Sequence, residues 1–196
     1  MTTAPVPTTP DLPMAPKTPL LLLIDVDGPL NPYNAPPHRR PEGYTTHRMR
    51  PDGWWHPRNK PLRVWLKPDH GPALLALPYR LVWCSTWQAE GNKFIGPVLG
   101  LPELDYVPFP PSPSRPSGLL YWKTSYVVEW AAGRPFVWVD DETTRYDQEY
   151  VDEHHGGFGR ILHVKAHLGL RDEDFALLGA WAQDAVAAPA AEGEPR

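Results

Sequence analysis

Three short, largely apolar runs in this chain each stop on a polar or acidic residue, and that repetition limits the folds open to it. Leu20 to Ile24 leads into Asp25-Val26-Asp27-Gly28, Arg80 to Cys84 into Ser85-Thr86, and Phe136 to Val139 into Asp140-Asp141-Glu142. A continuous apolar run of this length, bounded by turn residues, reads as a strand buried on both faces. Leu62 to Leu66, Asp105 to Phe109 and Ile161 to Val164 read as further strands. Helical stretches fall between and after them: Gly71 to Leu77, Thr86 to Leu99 with a break near Gly96-Pro97, Trp122 to Ala132, and Asp172 to Ala187. Gly133 and Pro135 close the third, and Phe175, Leu178 and Trp181 share one face of the last.

Buried strands alternating with helices predict an α/β fold, a Rossmann-like three-layer sandwich around a mainly parallel sheet. Proline supplies 27 of the 196 residues, and it concentrates in the first 20 residues, in 29–61 and in 108–116, which therefore read as tails and loops. The expected organisation is a disordered Pro-rich tail over 1–18, one folded unit over 19–188, and a flexible tail over 189–196. Within the unit, 31–61 lacks strong periodicity and is rich in Pro, Arg, His and Trp. Leu20 to Ile24 is too short for a membrane span or a signal core. The single cysteine, Cys84, excludes an internal disulfide and lies in an apolar run. It reads as a buried thiol in a reduced, cytoplasmic protein with no membrane partner.

Charge is unevenly spread. Residues 38–67 carry eight Arg and Lys against Glu42 and Asp52, a balance of +6, while the rest of the chain carries eleven against twenty-one, or −10. Such asymmetry points to an anionic partner at one place. Trp54 and Trp55 sit among these cations, the combination that stacks on unpaired bases. Arg39, Arg40, Arg48, Trp54, Trp55 and Trp87 are therefore candidate contacts to a nucleotide or nucleic acid. His154 and His155 precede a Gly-rich turn without a third ligand at metal spacing, and read as an exposed loop.

In parallel α/β sheets ligands bind beyond the carboxyl ends of the strands. Asp25, Asp27, Ser85, Asp140 and Asp141 all fall there. Carboxylates gathered at one edge repel each other without a cation. Their oxygen-only donors suit a hard ion, Mg²⁺ being the natural one beside a phosphate. One carboxylate can attack phosphorus while a second handles the proton of the leaving oxygen. A hydroxyl, from Ser85 in preference to Thr86, and the Lys123 ammonium can bind the phosphoryl oxygens.

This ordered set resembles the haloacid dehalogenase superfamily of phosphohydrolases. The resemblance rests on Asp25-Val26-Asp27-Gly28, Ser85, Lys123 and Asp140-Asp141, in motif order over residues 20–142. It implies Asp25 as nucleophile, Asp27 as general acid/base, and Ser85, Thr86 and Lys123 as phosphate contacts. It also implies Mg²⁺ held by Asp25, Asp140, Asp141 and the Asp27 backbone carbonyl, and a small flap or cap insertion after the first strand, over 31–67. Within the superfamily, Asp25 to Pro32 and Trp83 to Thr86 with Trp87 look closest to the phosphohydrolase domain of bacterial "Swiss Army knife" RNA-repair proteins. That resemblance implies a phosphate on a nucleotide or an RNA or DNA end. Pro29 departs from the usual first motif and removes one backbone donor from the loop. Two other functions fit the same residues: a phosphatase for a small metabolite such as a sugar phosphate, and a non-catalytic module that binds nucleic acid or protein.

Overall fold

In chain order the elements are β1 (Leu21–Ile24), β2 (Thr45–Met49), β3 (Leu62–Leu66), α1 (His70–Leu75), β4 (Arg80–Trp83), α2 (Gly96–Leu99), β5 (Asp105–Tyr106), α3 (Thr124–Ala131), β6 (Phe136–Asp140), α4 (Arg145–His154), β7 (Gly159–His163) and α5 (Asp172–Ala187). The computed structural model describes residues 19–52, 60–111 and 118–187. The expected tails, together with Trp54 and Trp55, lie outside the described residues.

Five strands form one sheet in the order β5-β4-β1-β6-β7, every neighbouring pair parallel. Side chains alternate across a strand, and the packing follows. Leu22 and Ile24 join a cluster with Leu74 of α1, Leu99 of α2 and Leu178 of α5, while Leu21 and Leu23 pack with Val127 and Ala131 of α3 and Val151 of α4. Helices thus cover both faces in a Rossmann-like α/β arrangement, and the continuous apolar run of β1 is what two covered faces require. Burial of each such side chain contributes about 1.5–3 kcal/mol. The chain builds outward from β1 through β4 to β5, then crosses to β6 and β7. The order therefore reverses between β1 and β6, the crevice where sheets of this kind bind ligands. Among the described residues no helix is long and apolar enough to cross a membrane.

Four local expectations change. Thr45–Met49, expected to be irregular, is a strand in antiparallel register with β3, Thr45 facing Leu66 and Met49 facing Leu62. Only Met49 of its five residues is buried, so it carries no apolar alternation to read. The strand expected over Asp105 to Phe109 shrinks to Asp105–Tyr106, an exposed edge pair, because Pro108 and Pro110 offer no N–H to extend the ladder. The helix before Pro97 is rewound instead of broken. Gly91–Ile95 forms a π-helical turn in which the Gly96 N–H reaches back to the Gly91 carbonyl, and α2 continues with proline in its first turn. His154 is exposed as expected but ends α4 instead of lying in a loop, and His155 is buried against Phe136 at 4.7 Å, with Nε2 3.1 Å from the Arg134 carbonyl.

Candidate functional site

The β1 backbone carries directly into the site. The Asp25 N–H bonds the Val139 carbonyl at 3.0 Å, so Asp25 leaves the sheet beside Asp140, the last residue of β6, and Asp141, the next. Carboxylate oxygens of Asp25, Asp140 and Asp141 lie within 4.8 Å of one another. Lys123, at the N-cap of α3, brings its ammonium between two of them. Its Nζ is 3.0 Å from Asp25 Oδ2, 2.9 Å from Asp140 Oδ2 and 3.2 Å from the Cys84 carbonyl, with 2% of the side chain exposed. Burial works to lower this ammonium, and the two carboxylates more than reverse it, holding it well above its ordinary value.

The start of α3 is fixed by another buried acid. Asp147 accepts the Tyr121 N–H and the Thr124 hydroxyl on one oxygen, and the Thr144 N–H and hydroxyl on the other. It thereby joins the first turns of α3 and α4 and sets where Lys123 enters.

Asp27 turns the other way. Its Oδ1 accepts the Asn31 amide at 2.6 Å and its Oδ2 the Trp87 indole N–H at 2.9 Å. The loop carrying Asp25 and Asp27 is closed by the Gly28 N–H on the Asn31 carbonyl and by the Leu30 and Asn31 N–H groups on the Val26 carbonyl. None of these bonds needs a donor at Pro29. Gly28 has φ +96°, and a Cβ there would stand 2.2 Å from Asp141 Oδ1. Only glycine lets the loop close against this carboxylate.

These groups share a cavity of about 400 Å³. Asp25, Asp27, Asp141 and Lys123 open into it, facing Arg63, Tyr33, Tyr121 and Trp122. Of the two hydroxyls, exposed Thr86 lines the cavity, whereas Ser85 is buried with Oγ 3.5 Å from the Trp87 N–H. Trp87 also lines it, although its indole N–H is committed to Asp27. Arg39, Arg40 and Arg48 are exposed and stay outside the lining. The basic segment instead contributes Arg63 of β3. Its guanidinium lies 3.9 Å over the Trp65 ring and donates to the Pro37 and Tyr33 carbonyls. In the sequence Arg63 stands out only within a charge total and Asn31 only as part of a motif, and nothing singles out Tyr33, Tyr121, Trp122 or Glu142. No local pattern marks these residues, since they come from separate loops and meet only in three dimensions.

Electrostatics sort the acids. Burial, then the Asp25 charge, push Asp141 up to about 6. Burial, offset in part by Lys123 and added to by Asp25, pushes Asp140 up to about 7. Asp27 is raised as well, by burial and by Asp25, against the lowering bonds from Trp87 and Asn31. The Cys84 thiol, wholly buried, is pushed well above its ordinary value, which fits a structural thiol. Oxygen-only donors, close carboxylates and raised acids together fit a hard cation held by Asp25, Asp140 and Asp141. No family model, curated protein or solved structure matches this chain.

Proposed function

We propose that this protein is a Mg²⁺-dependent phosphomonoesterase of haloacid dehalogenase type, acting on a nucleotide or a polynucleotide end. One observation carries the reading most. A buried Lys123 ammonium bridges Asp25 and Asp140 at the point where the strand order reverses, with Asp27 and Asp141 beside it. Asp25, Asp140 and Asp141 would hold Mg²⁺, which when bound would offset the repulsion of the acids and polarise a phosphate oxygen.

An oxygen of the Asp25 carboxylate forms a bond to phosphorus as the bond from phosphorus to the ester oxygen breaks. The departing oxygen keeps the electron pair and takes a proton from Asp27. Water then attacks the phosphorus of the aspartyl phosphate and gives a proton to Asp27. The bond to Asp25 breaks, restoring its carboxylate and releasing inorganic phosphate. Lys123 and Thr86 face the transferring oxygens.

Of the insertion over 31–67, the β2–β3 pair acts as the flap over this site. Arg63, stacked and held for planar contact, with the rings of Tyr33, Tyr121 and Trp122, suits a phosphate joined to a nucleoside. The 400 Å³ volume equally holds a sugar phosphate. Salt separates the two: a polynucleotide bound by several cations weakens steeply as salt rises, and a small metabolite does not. Asp25→Asn is expected to abolish Mg²⁺-dependent hydrolysis of p-nitrophenyl phosphate while the circular dichroism spectrum and melting temperature stay near wild type. Turnover that survives this substitution overturns the reading.

A further inference from the structure

Asn31 is 3% exposed and spends both ends of its side chain on fixed partners. Its Oδ1 accepts the backbone N–H of Trp65, in β3, at 2.9 Å, and its Nδ2 donates to Asp27 Oδ1 at 2.6 Å. A backbone N–H can only donate, so the Trp65 bond dictates which way the amide faces and directs the NH₂ group at Asp27. A flipped amide would set two donors against each other and two acceptors likewise. The Asn31 backbone is pinned too, its N–H on the Val26 carbonyl and its carbonyl on the Gly28 N–H, both at 2.8 Å. With Trp87 on the other oxygen, the Asp27 carboxyl is clamped in its plane from two separate parts of the chain. One clamp follows β4. The other runs through Asn31 to the β2–β3 pair, whose Leu62, Arg63 and Val64 form a wall of the same cavity.

We propose that Asn31 is a positioning residue for Asp27, and that the Trp65 N–H of β3 sets its amide so that Asp27 is held for proton transfer at the ester oxygen. The proposal rests on Asp27 being the general acid/base. Trp65 orients the amide, the amide holds Asp27, and Asp27 delivers its proton to the departing oxygen. Val64, Trp65 and Leu66 are buried, so the orienting donor is held in place by the core.

Asn31→Asp tests this. It keeps the shape and an acceptor for Trp65, but turns an oxygen instead of an NH₂ group toward Asp27. A strongly basic leaving oxygen needs the proton, whereas a weakly basic one departs without it. kcat/KM with Mg²⁺ is therefore measured on phenyl phosphate and on 2,4-dinitrophenyl phosphate. The expected result is a loss of about 10- to 100-fold on phenyl phosphate, part of what general acid catalysis supplies, and of less than about threefold on the dinitrophenyl ester. In an Asp27→Asn background the same substitution should add less than about twofold, since its effect passes through Asp27. If Asn31→Asp does not fold, Asn31→Ser removes the bond without adding charge and is read the same way. Equal losses on both esters, no loss, or full additivity with Asp27→Asn overturns the proposal while leaving the phosphatase reading standing. A wild-type protein that hydrolyses neither ester with Mg²⁺ overturns the phosphatase reading, and the positioning role falls with it.

Discussion

Asp140 and Asp147 are both fully buried, yet their surroundings give them different work. Asp147 is ringed by neutral donors: two backbone N–H groups and two hydroxyls satisfy its two oxygens. Asp140 accepts the Glu142 N–H on one oxygen and the Lys123 ammonium on the other, but it shares its space with Asp25 and Asp141. Burial and that crowding push it up to about 7. A buried carboxylate among donors is a joint between elements. A buried carboxylate among other carboxylates, with one cation for two of them, carries a surplus of negative charge that the proposed Mg²⁺ would offset.

Replacing each by asparagine should separate the two roles. Asp140→Asn is expected to lower kcat/KM by at least about 100-fold, the scale of losing one electrostatic contact to the reacting centre, with a small change in melting temperature. Asp147→Asn places an NH₂ group against two of the four donors and should cost about 2–4 kcal/mol of stability, while the folded fraction keeps activity within about tenfold. The contrast collapses if denaturant melts show both variants equally destabilised.

Mg²⁺ binding sharpens it further. Asp140 and Asp141 are raised to about 7 and about 6, so below those values protons occupy the ligand oxygens and must leave when the cation binds. Affinity should therefore weaken as pH falls from 8 to 6, by up to about tenfold per pH unit for each proton displaced. Calorimetry in buffers of different ionisation enthalpy measures both the affinity and the protons released. Without Mg²⁺ the same shifts act on stability with a fixed sign. The folded state holds these protons above the ordinary carboxylate value, so the two acids make it less stable as pH rises from about 4 to about 7. A pH-independent Mg²⁺ affinity would remove Asp140 and Asp141 from the ligand set.

The smallest effect belongs to Thr124. Thr124→Val deletes one donor of four to Asp147 and keeps the shape of the side chain. A loss of about 1 kcal/mol is expected, with the Mg²⁺ titration unmoved. A shifted titration would mean that the joint at Asp147 sets the acid cluster directly, and not only the position of Lys123.

The sheet and the acids were legible because each leaves a local mark. A strand covered on both faces has to be apolar throughout, and its carboxyl end is where the next polar residues must emerge. Thus Leu21–Ile24, Asp25, Asp27, Asp140 and Asp141 can be read in order along the chain. β2 left no such mark, since a strand with one buried residue in five has no alternation to find. Lys123 was legible only through the order of motifs around it. Nothing local shows that it is enclosed, because enclosure comes from Asp25, Asp140 and the Cys84 carbonyl, all distant in sequence.

By itself the sequence determined the α/β class, the edge where the acids collect and the net charge of the segment over 38–67, since periodicity, strand ends and composition are local properties. Only the tertiary structure decided that Thr86 and not Ser85 lines the cavity, that Arg63 and not Arg39, Arg40 or Arg48 faces the acids, and that Trp65 reaches Asp27 through Asn31. The first depends on how the chain turns after β4, the other two on the register between β2 and β3 and on how that pair docks. Register and docking are set by contacts between residues far apart in the chain, which no window along the sequence contains.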